Sequence, residues 1–176
     1  MNYQIDFVIP QGPTGPTGSQ GLTGATGPTG PRGESGGLTA YGGRYSTVSQ
    51  TLNLTIGAAT QIPLATTTPN SNVTYTTANS ITISSAGVYE INYFSNMTAA
   101  VATTVTMAVR SNGTNIPATV TSRALSVGVS SIYSGSVIVN LPAGATIDLA
   151  MSALIAVGIT LSTGVNATLT VKKLNG

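Results

Sequence analysis

The sequence predicts an all-β head, a β-sandwich or jelly roll, preceded by a short collagen triple helix and an extended N-terminal connector. Three observations carry this. Glycine stands at every third position from Gly12 to Gly36. Beyond it, apolar and polar residues alternate with period two in one segment after another. Turn-forming residues punctuate those segments, and no segment combines a helical period with caps. The 176 residues thus divide into a connector (residues 1–11), a stalk (12–36) and a C-terminal trimerisation head (37–176).

The connector reads MNYQIDFVIPQ. Tyr3, Ile5, Phe7 and Ile9 alternate as in a strand seeking a partner, Val8 adds apolar area, and Pro10 closes the run. A piece this small buries nothing alone, and free ends of this kind fray. Addition to another protein's groove or sheet edge gives its composition a use. Tyr3, Ile5, Phe7, Val8, Ile9 and Pro10 are therefore the candidate docking residues. The segment has no basic start, carries Asp6, and meets Pro10 before an apolar signal core develops, so no classical signal peptide is expected.

In the stalk, Gly12, Gly15, Gly18, Gly21, Gly24, Gly27, Gly30, Gly33 and Gly36 keep one phase. A flexible spacer is also glycine-rich but has no strict period. A collagen triple helix needs it, because only glycine fits at the axis shared by three chains. Pro13, Pro16, Pro28 and Pro31 occupy first variable positions, where a fixed φ suits the extended helix. At about 3.1 Å per residue the rod spans roughly 75 Å. One chain cannot form it, so the protein is expected to be a homotrimer, or a heterotrimer of close relatives. Arg32 and Glu34 on staggered chains can pair for about 0.5 kcal/mol. Thr14, Thr17, Thr23, Thr26 and Thr29 point outward, where plain hydration and O-linked sugar both fit.

The head is rich in β-branched residues, which favour strands. Tyr89, Ile91, Tyr93 and Met97 alternate with Glu90, Asn92 and Asn96. The same period places Val101, Val105, Met107 and Val109 on one face, then Tyr133, Val137, Val139 and Leu141, then Ile147, Leu149 and Met151, then Leu169 and Val171. Asn112-Gly113 is the preferred two-residue hairpin turn. Gly87, and Pro142 with Gly144, mark further turns. The stretch GGLTAYGGRYS reads as a short join between stalk and head. Three heads holding the stalk ends together at Gly36 would raise the local chain concentration and nucleate the rod.

Composition narrows the function. The chain has no cysteine, histidine or tryptophan, six basic and four acidic residues, and a net charge of +2. The usual general bases, nucleophiles and soft metal ligands are missing, so no catalytic site, metal or cofactor is assigned and the chain is not read as an enzyme. Glu90 and Asp148 are the head's carboxylates. They could form a pair or hold calcium, but a solvated or locally paired strand residue is the plainer reading of each. Six dispersed cations form no nucleic-acid patch. The longest apolar run, MSALIAVGITL (residues 151–161), is too short to span a bilayer. The head's charges are Arg44, Glu90, Arg110, Arg123, Asp148, Lys172 and Lys173. A surface this neutral is poorly protected against association, which suits a coat or fibre subunit.

Triplets followed by an all-β head resemble the complement-one-q and tumour-necrosis-factor-like jelly rolls. SITISSAGVYEINYFSNM (residues 80–97) is similar to that family's turn-Gly-x-Tyr strand, VIVNLPAGATIDLAM (137–151) to its Leu-x-x-Gly-Asp strand pair with Ala145 in place of Asp, and NATLTVKKL (166–174) to its closing strand. FVIPQGPTGPTG (residues 7–18) resembles the anchor-to-stalk junction of the collagen-like exosporium glycoproteins of spore-forming bacteria. The resemblance implies a trimeric TNF-like jelly-roll head and a spore-surface location. It implies a structural subunit of a spore surface layer or appendage, docking through its N-terminal segment on a surface or filament protein. That partner is either another copy, giving a head-to-tail filament, or a different basal protein. The alternative is a trimeric tail-fibre or surface adhesin whose head binds a host glycan or protein.

Overall fold

A computed structural model of the chain describes residues 1–27 and 38–174. The chain forms two compact units, Met1–Ser35 and Gly36–Gly176. In the first, residues 1–27 are exposed throughout and carry neither helix nor strand. The expectations for Pro28, Thr29, Gly30, Pro31, Arg32, Gly33, Glu34 and Gly36 lie outside the described residues.

The second unit is all-β. Its strands are β1 (Tyr41–Ser46), β2 (Thr51–Leu54), β3 (Thr60–Gln61), β4 (Thr66–Thr67), β5 (Val73–Thr74), β6 (Ile81–Ile83), β7 (Gly87–Ala99), β8 (Thr103–Ser111), β9 (Thr114–Asn115), β10 (Thr121–Leu125), β11 (Ser131–Leu141), β12 (Thr146–Ala153), β13 (Val157–Leu161) and β14 (Ala167–Lys173). A single 3-10 turn, Pro117–Thr119, is the helical element among the described residues.

Two seven-stranded sheets face each other. In the first, β7 pairs with β11 along one side; along the other it pairs first with β14 and then with β13. β14 leads on to β1 and β4, and β13 to β2. In the second, β12 lies between β8 and the short β6 and β3, and β8 carries β10 and β9 on its far side. All these pairings are antiparallel, and β7–β8, β10–β11, β11–β12 and β12–β13 cross between sheets, as in a jelly roll.

The alternating residues meet between the sheets. Tyr89, Ile91, Met97, Val105, Met107, Val109, Ile147, Leu149, Leu169 and Val171 are fully buried. Val101 departs from its pattern, because it sits in the β7–β8 turn and is half exposed. Asn112 and Gly113 take φ 51° and 79°, the two left-handed residues that a type I′ hairpin requires.

The expected join reaches too far into the head. Tyr41–Ser46 is β1, paired to β14 over its whole length. Its two glycines look like a linker in sequence, but contact makes them glycine. A Cβ at Gly42 would come 2.5 Å from Val73 Cγ2, and one at Gly43 would come 2.8 Å from Thr170 Cγ2. The run at residues 151–161 is likewise the end of β12, a turn, and β13.

Candidate interaction surfaces

The two head carboxylates do not meet. Asp148 lies on β12 in the second sheet, opposite Arg110 on β8. Arg110 Nε and Nη2 donate to its oxygens at 2.7 and 2.9 Å, and Gln61 Nε2 donates at 3.0 Å. Both partners are nearly buried, so this fork is a geometric clamp between strands. Glu90 lies on β7 in the first sheet, with Lys172 Nζ 3.9 Å away and the Ser136 hydroxyl donating at 3.4 Å. That pair is substantially exposed and contributes little. Among the described residues no three acidic, His or Cys side chains gather as a metal site. No helix there is long and apolar enough to cross a membrane.

What the head offers is surface. The outward face of the first sheet can be read row by row from strand register. Tyr45, Thr168, Phe94 and Ser134 form one row across β1, β14, β7 and β11. Gly43, Thr170, Asn92 and Ser136 form the next, and Tyr41, Lys172, Glu90 and Ile138 the third. Their neighbours along each strand, such as Ile91, Leu169 and Val171, fill the core. This is a broad, mildly apolar face carrying one ion pair.

It ends at β11, an 11-residue strand whose only strand partner among the described residues is β7. Edge strands are normally blunted by charge, proline or a bulge. β11 has none of these, and its Ile132 and Ile138 are 48% and 65% exposed. An uncharged edge of this length calls for cover.

The opposite margin is held by Arg44. Arg44 is 7% exposed, and its guanidinium carbon lies 5.1 Å from the centre of the Tyr75 ring. Nη1 donates to the Leu64 carbonyl at 3.0 Å, and Nη2 to the carbonyls of Tyr75 and Thr77 at 3.0 and 3.2 Å. The Tyr75 hydroxyl in turn accepts from the Gly43 backbone N–H at 2.9 Å. Burial holds the Arg44 pKa below its ordinary value, opposed by the nearby Tyr75. Sequence marks Arg44 only as one of few charges; its role comes from three carbonyls contributed by two distant segments, Leu64 between β3 and β4 and Tyr75 and Thr77 between β5 and β6.

Tyr133 brings a hydroxyl into the core. It is fully buried, donates to the Val105 carbonyl at 2.8 Å, and lies under Arg123, whose guanidinium carbon is 5.5 Å from the ring centre. Burial pushes its hydroxyl up to about 12, against the opposing pull of Arg123.

The proposed docking residues Tyr3, Ile5, Phe7, Val8, Ile9 and Pro10 are all exposed in the lone chain, the five apolar ones by 80–90%. Gly12, Gly15, Gly18, Gly21, Gly24, Gly27 and Thr14, Thr17, Thr23 and Thr26 are exposed as well. The small, polar stretch at residues 65–72 flanks β1. Thr66 and Thr67 pair with Tyr45 and Arg44, and Ser71 bridges Tyr41, so it runs along the side of β1.

The BclA C-terminal domain family matches the chain over residues 43–175. No curated protein matches it. Among solved structures, murine APRIL at pH 5.0 superposes with TM-score 0.54 at 12% identity, covering 77% of this chain and 98% of that one. Eiger TNF from S. frugiperda gives 0.54 at 12%, covering 78% and 93%. The globular domain of zebrafish complement 1qA protein gives 0.51 at 13%, covering 77% and 98%. At such identities the likeness is one of fold, and it is the tumour-necrosis-factor and complement-one-q jelly roll that the residue patterns predict. By the match across its head, this chain belongs to the BclA C-terminal domain family.

Proposed function

We propose that the protein is a structural homotrimeric subunit of a bacterial spore surface layer or spore appendage. Its head trimerises, its stalk forms a collagen triple helix, and its N-terminal segment docks the trimer onto the next component. The observation that carries this reading is a period the lone chain has no use for. At Gly12, Gly15, Gly18, Gly21, Gly24 and Gly27 a Cβ would meet no atom within 4 Å, and none of these glycines has a left-handed φ. Neither crowding nor backbone strain within one chain calls for glycine there. Three chains about a common axis call for it at each of these positions. The uncharged β11 edge and the mild outward face of the first sheet fit the same conclusion, because both gain by being covered by a second head.

Family membership favours the spore surface as the location, and either of two docking partners suits the exposed N-terminal segment. In a filament the partner is another copy of the trimer; in a nap-like layer it is a different basal protein. The alternative, an adhesin, would need a head that recognises a host glycan or protein. Sedimentation equilibrium of the full chain is expected to return three times the chain mass of 17.6 kDa. Antibody against the head is expected to label intact spores. A lone chain's mass would remove stalk, trimer and surface role together, and unlabelled spores would remove the location.

A further inference from the structure

One end of the head is built from four loops. They are residues 55–59 between β2 and β3, 100–102 between β7 and β8, 126–130 between β10 and β11, and 154–156 between β12 and β13. Register gathers them: Ile56 bridges Ala153, Val127 bridges Ala99, and the Ala100 N–H donates to the Gly158 carbonyl at 3.0 Å. The chain enters the head at the opposite end, where Tyr41 pairs with Lys172 beside the start of β7.

Every residue of these loops is exposed, and none is charged. Ile56 is 71% exposed, Leu154 72%, Val127 61% and Val129 55%. Thr55, Ser126 and Ser130 are the only side chains there with polar atoms. The loops are held in place. The Gly57 and Gly128 N–H groups donate to the Ala153 and Ala99 carbonyls at 3.4 and 3.0 Å. Both glycines take left-handed φ, 69° and 68°, which makes the turns tight. A preformed, uncharged apolar surface of this kind marks a contact site.

We infer that this apex is the acceptor for the N-terminal segment of a second copy of the chain, with Tyr3, Ile5, Phe7 and Ile9 laid across the four loops. The inference rests on the head-to-tail form of the proposed function and names the surface that receives the tail. The two surfaces match in chemistry. In an extended segment the odd residues Tyr3, Ile5, Phe7 and Ile9 share one side and Gln4, Asp6 and Val8 the other, so the wholly apolar side can seat while Asp6 stays in water. The apex contains no carboxylate to repel Asp6 and no cation to hold a polar ligand. A lipid surface is a poorer occupant, since interfacial sites rely on basic and aromatic residues and the apex has neither. Because the acceptor lies at the end opposite the chain's entry, such contacts do not close on themselves, and they build an open fibre.

The test uses the full-length chain and compares pelleting and electron microscopy of four proteins: wild type, a chain lacking residues 2–10, Leu154→Lys and Phe7→Glu. Wild type is expected to form filaments. Each of the other three is expected to lose at least tenfold in pelleted protein while still sedimenting as trimers. Combining Leu154→Lys with Phe7→Glu is expected to restore filaments, which a general folding defect would not allow. If Leu154→Lys disturbs the trimer, the milder pair Ile56→Ser and Val127→Ser decides by the same criterion. Filaments that need residues 2–10 but tolerate the apex variants would overturn the apex and leave head-to-tail assembly standing. Discrete wild-type trimers would overturn both.

Discussion

Replacing Arg44 by Met tests whether a buried cation without a carboxylate stabilises this head. Met keeps most of the volume and removes the charge. What is lost is three hydrogen bonds to the carbonyls of Leu64, Tyr75 and Thr77 and the stacking on Tyr75. Bonds from a charged donor contribute about 2 kcal/mol each and a desolvated cation–π contact about 1 kcal/mol, roughly 7 kcal/mol gross. Against this stands the desolvation of the guanidinium, several kcal/mol for a buried ion, here about 4–5 kcal/mol. The net expectation is a loss of about 2–3 kcal/mol. For a domain of this size that corresponds to a fall of about 6–10 °C in Tm. Arg44→Lys should recover less than half of the loss, because an ammonium cannot span three divergent carbonyls. The assay is urea unfolding followed by circular dichroism, with hydrogen exchange at residues 75–77 as a local readout. Exchange there should rise in the Met variant, since those carbonyls tether the loop to β1. A Met variant that unfolds at the wild-type urea concentration, or above it, would refute this balance and show that the cation's dehydration outweighs its bonds.

Three further outcomes are expected. Tyr133 has its pKa raised to about 12 in the folded head, against about 10 when unfolded. Its contribution is therefore complete below pH 10 and lost as pH climbs to about 12, some 2–3 kcal/mol. Tyr133→Phe should flatten that alkaline decline while costing about 1 kcal/mol at neutral pH for the bond to Val105; an unchanged alkaline limb in the Phe variant would contradict the assignment. Gly135→Ala would set a Cβ 2.5 Å from the Tyr93 hydroxyl oxygen and 2.7 Å from Cζ. That overpacking should cost about 1–3 kcal/mol in the same urea assay, and a neutral result would mean that the Tyr93 ring yields. In the stalk, Gly21→Ala should abolish the cooperative loss of polyproline-type circular dichroism on heating and expose the stalk to protease, with the head's own transition unmoved. Retention of that melt would contradict the triple helix.

Much of the head is legible because one-sided burial writes itself into sequence as alternation. Tyr89 to Met97 and Ile147 to Met151 read correctly as strands, since each sends every second residue into the one core. The turn at Asn112-Gly113 is equally local, because positive φ at two consecutive positions limits the residues that fit. Where the deciding contact is distant, local pattern misleads. β1 resembles a linker because its glycines answer to Val73 and Thr170, which only folding brings near. β13 merges with β12 into one apolar run because the turn between them, Leu154-Ile155-Ala156, is itself apolar.

The glycine period needs no tertiary structure to be read. It repeats along the chain itself and answers to an axis, and any folded arrangement must respect it. The same is true of the missing histidine and cysteine, which remove whole classes of chemistry wherever the remaining side chains end up. The apex belongs to the other kind. Ile56, Val101, Val127 and Leu154 are scattered over about a hundred positions and look like ordinary core residues. Only the registers of β2, β7, β10 and β12 bring them to one end and leave them in water. Hydrophobicity is a property of the residue, but exposure is a property of the fold, so a sticky surface is visible only after the chain has closed.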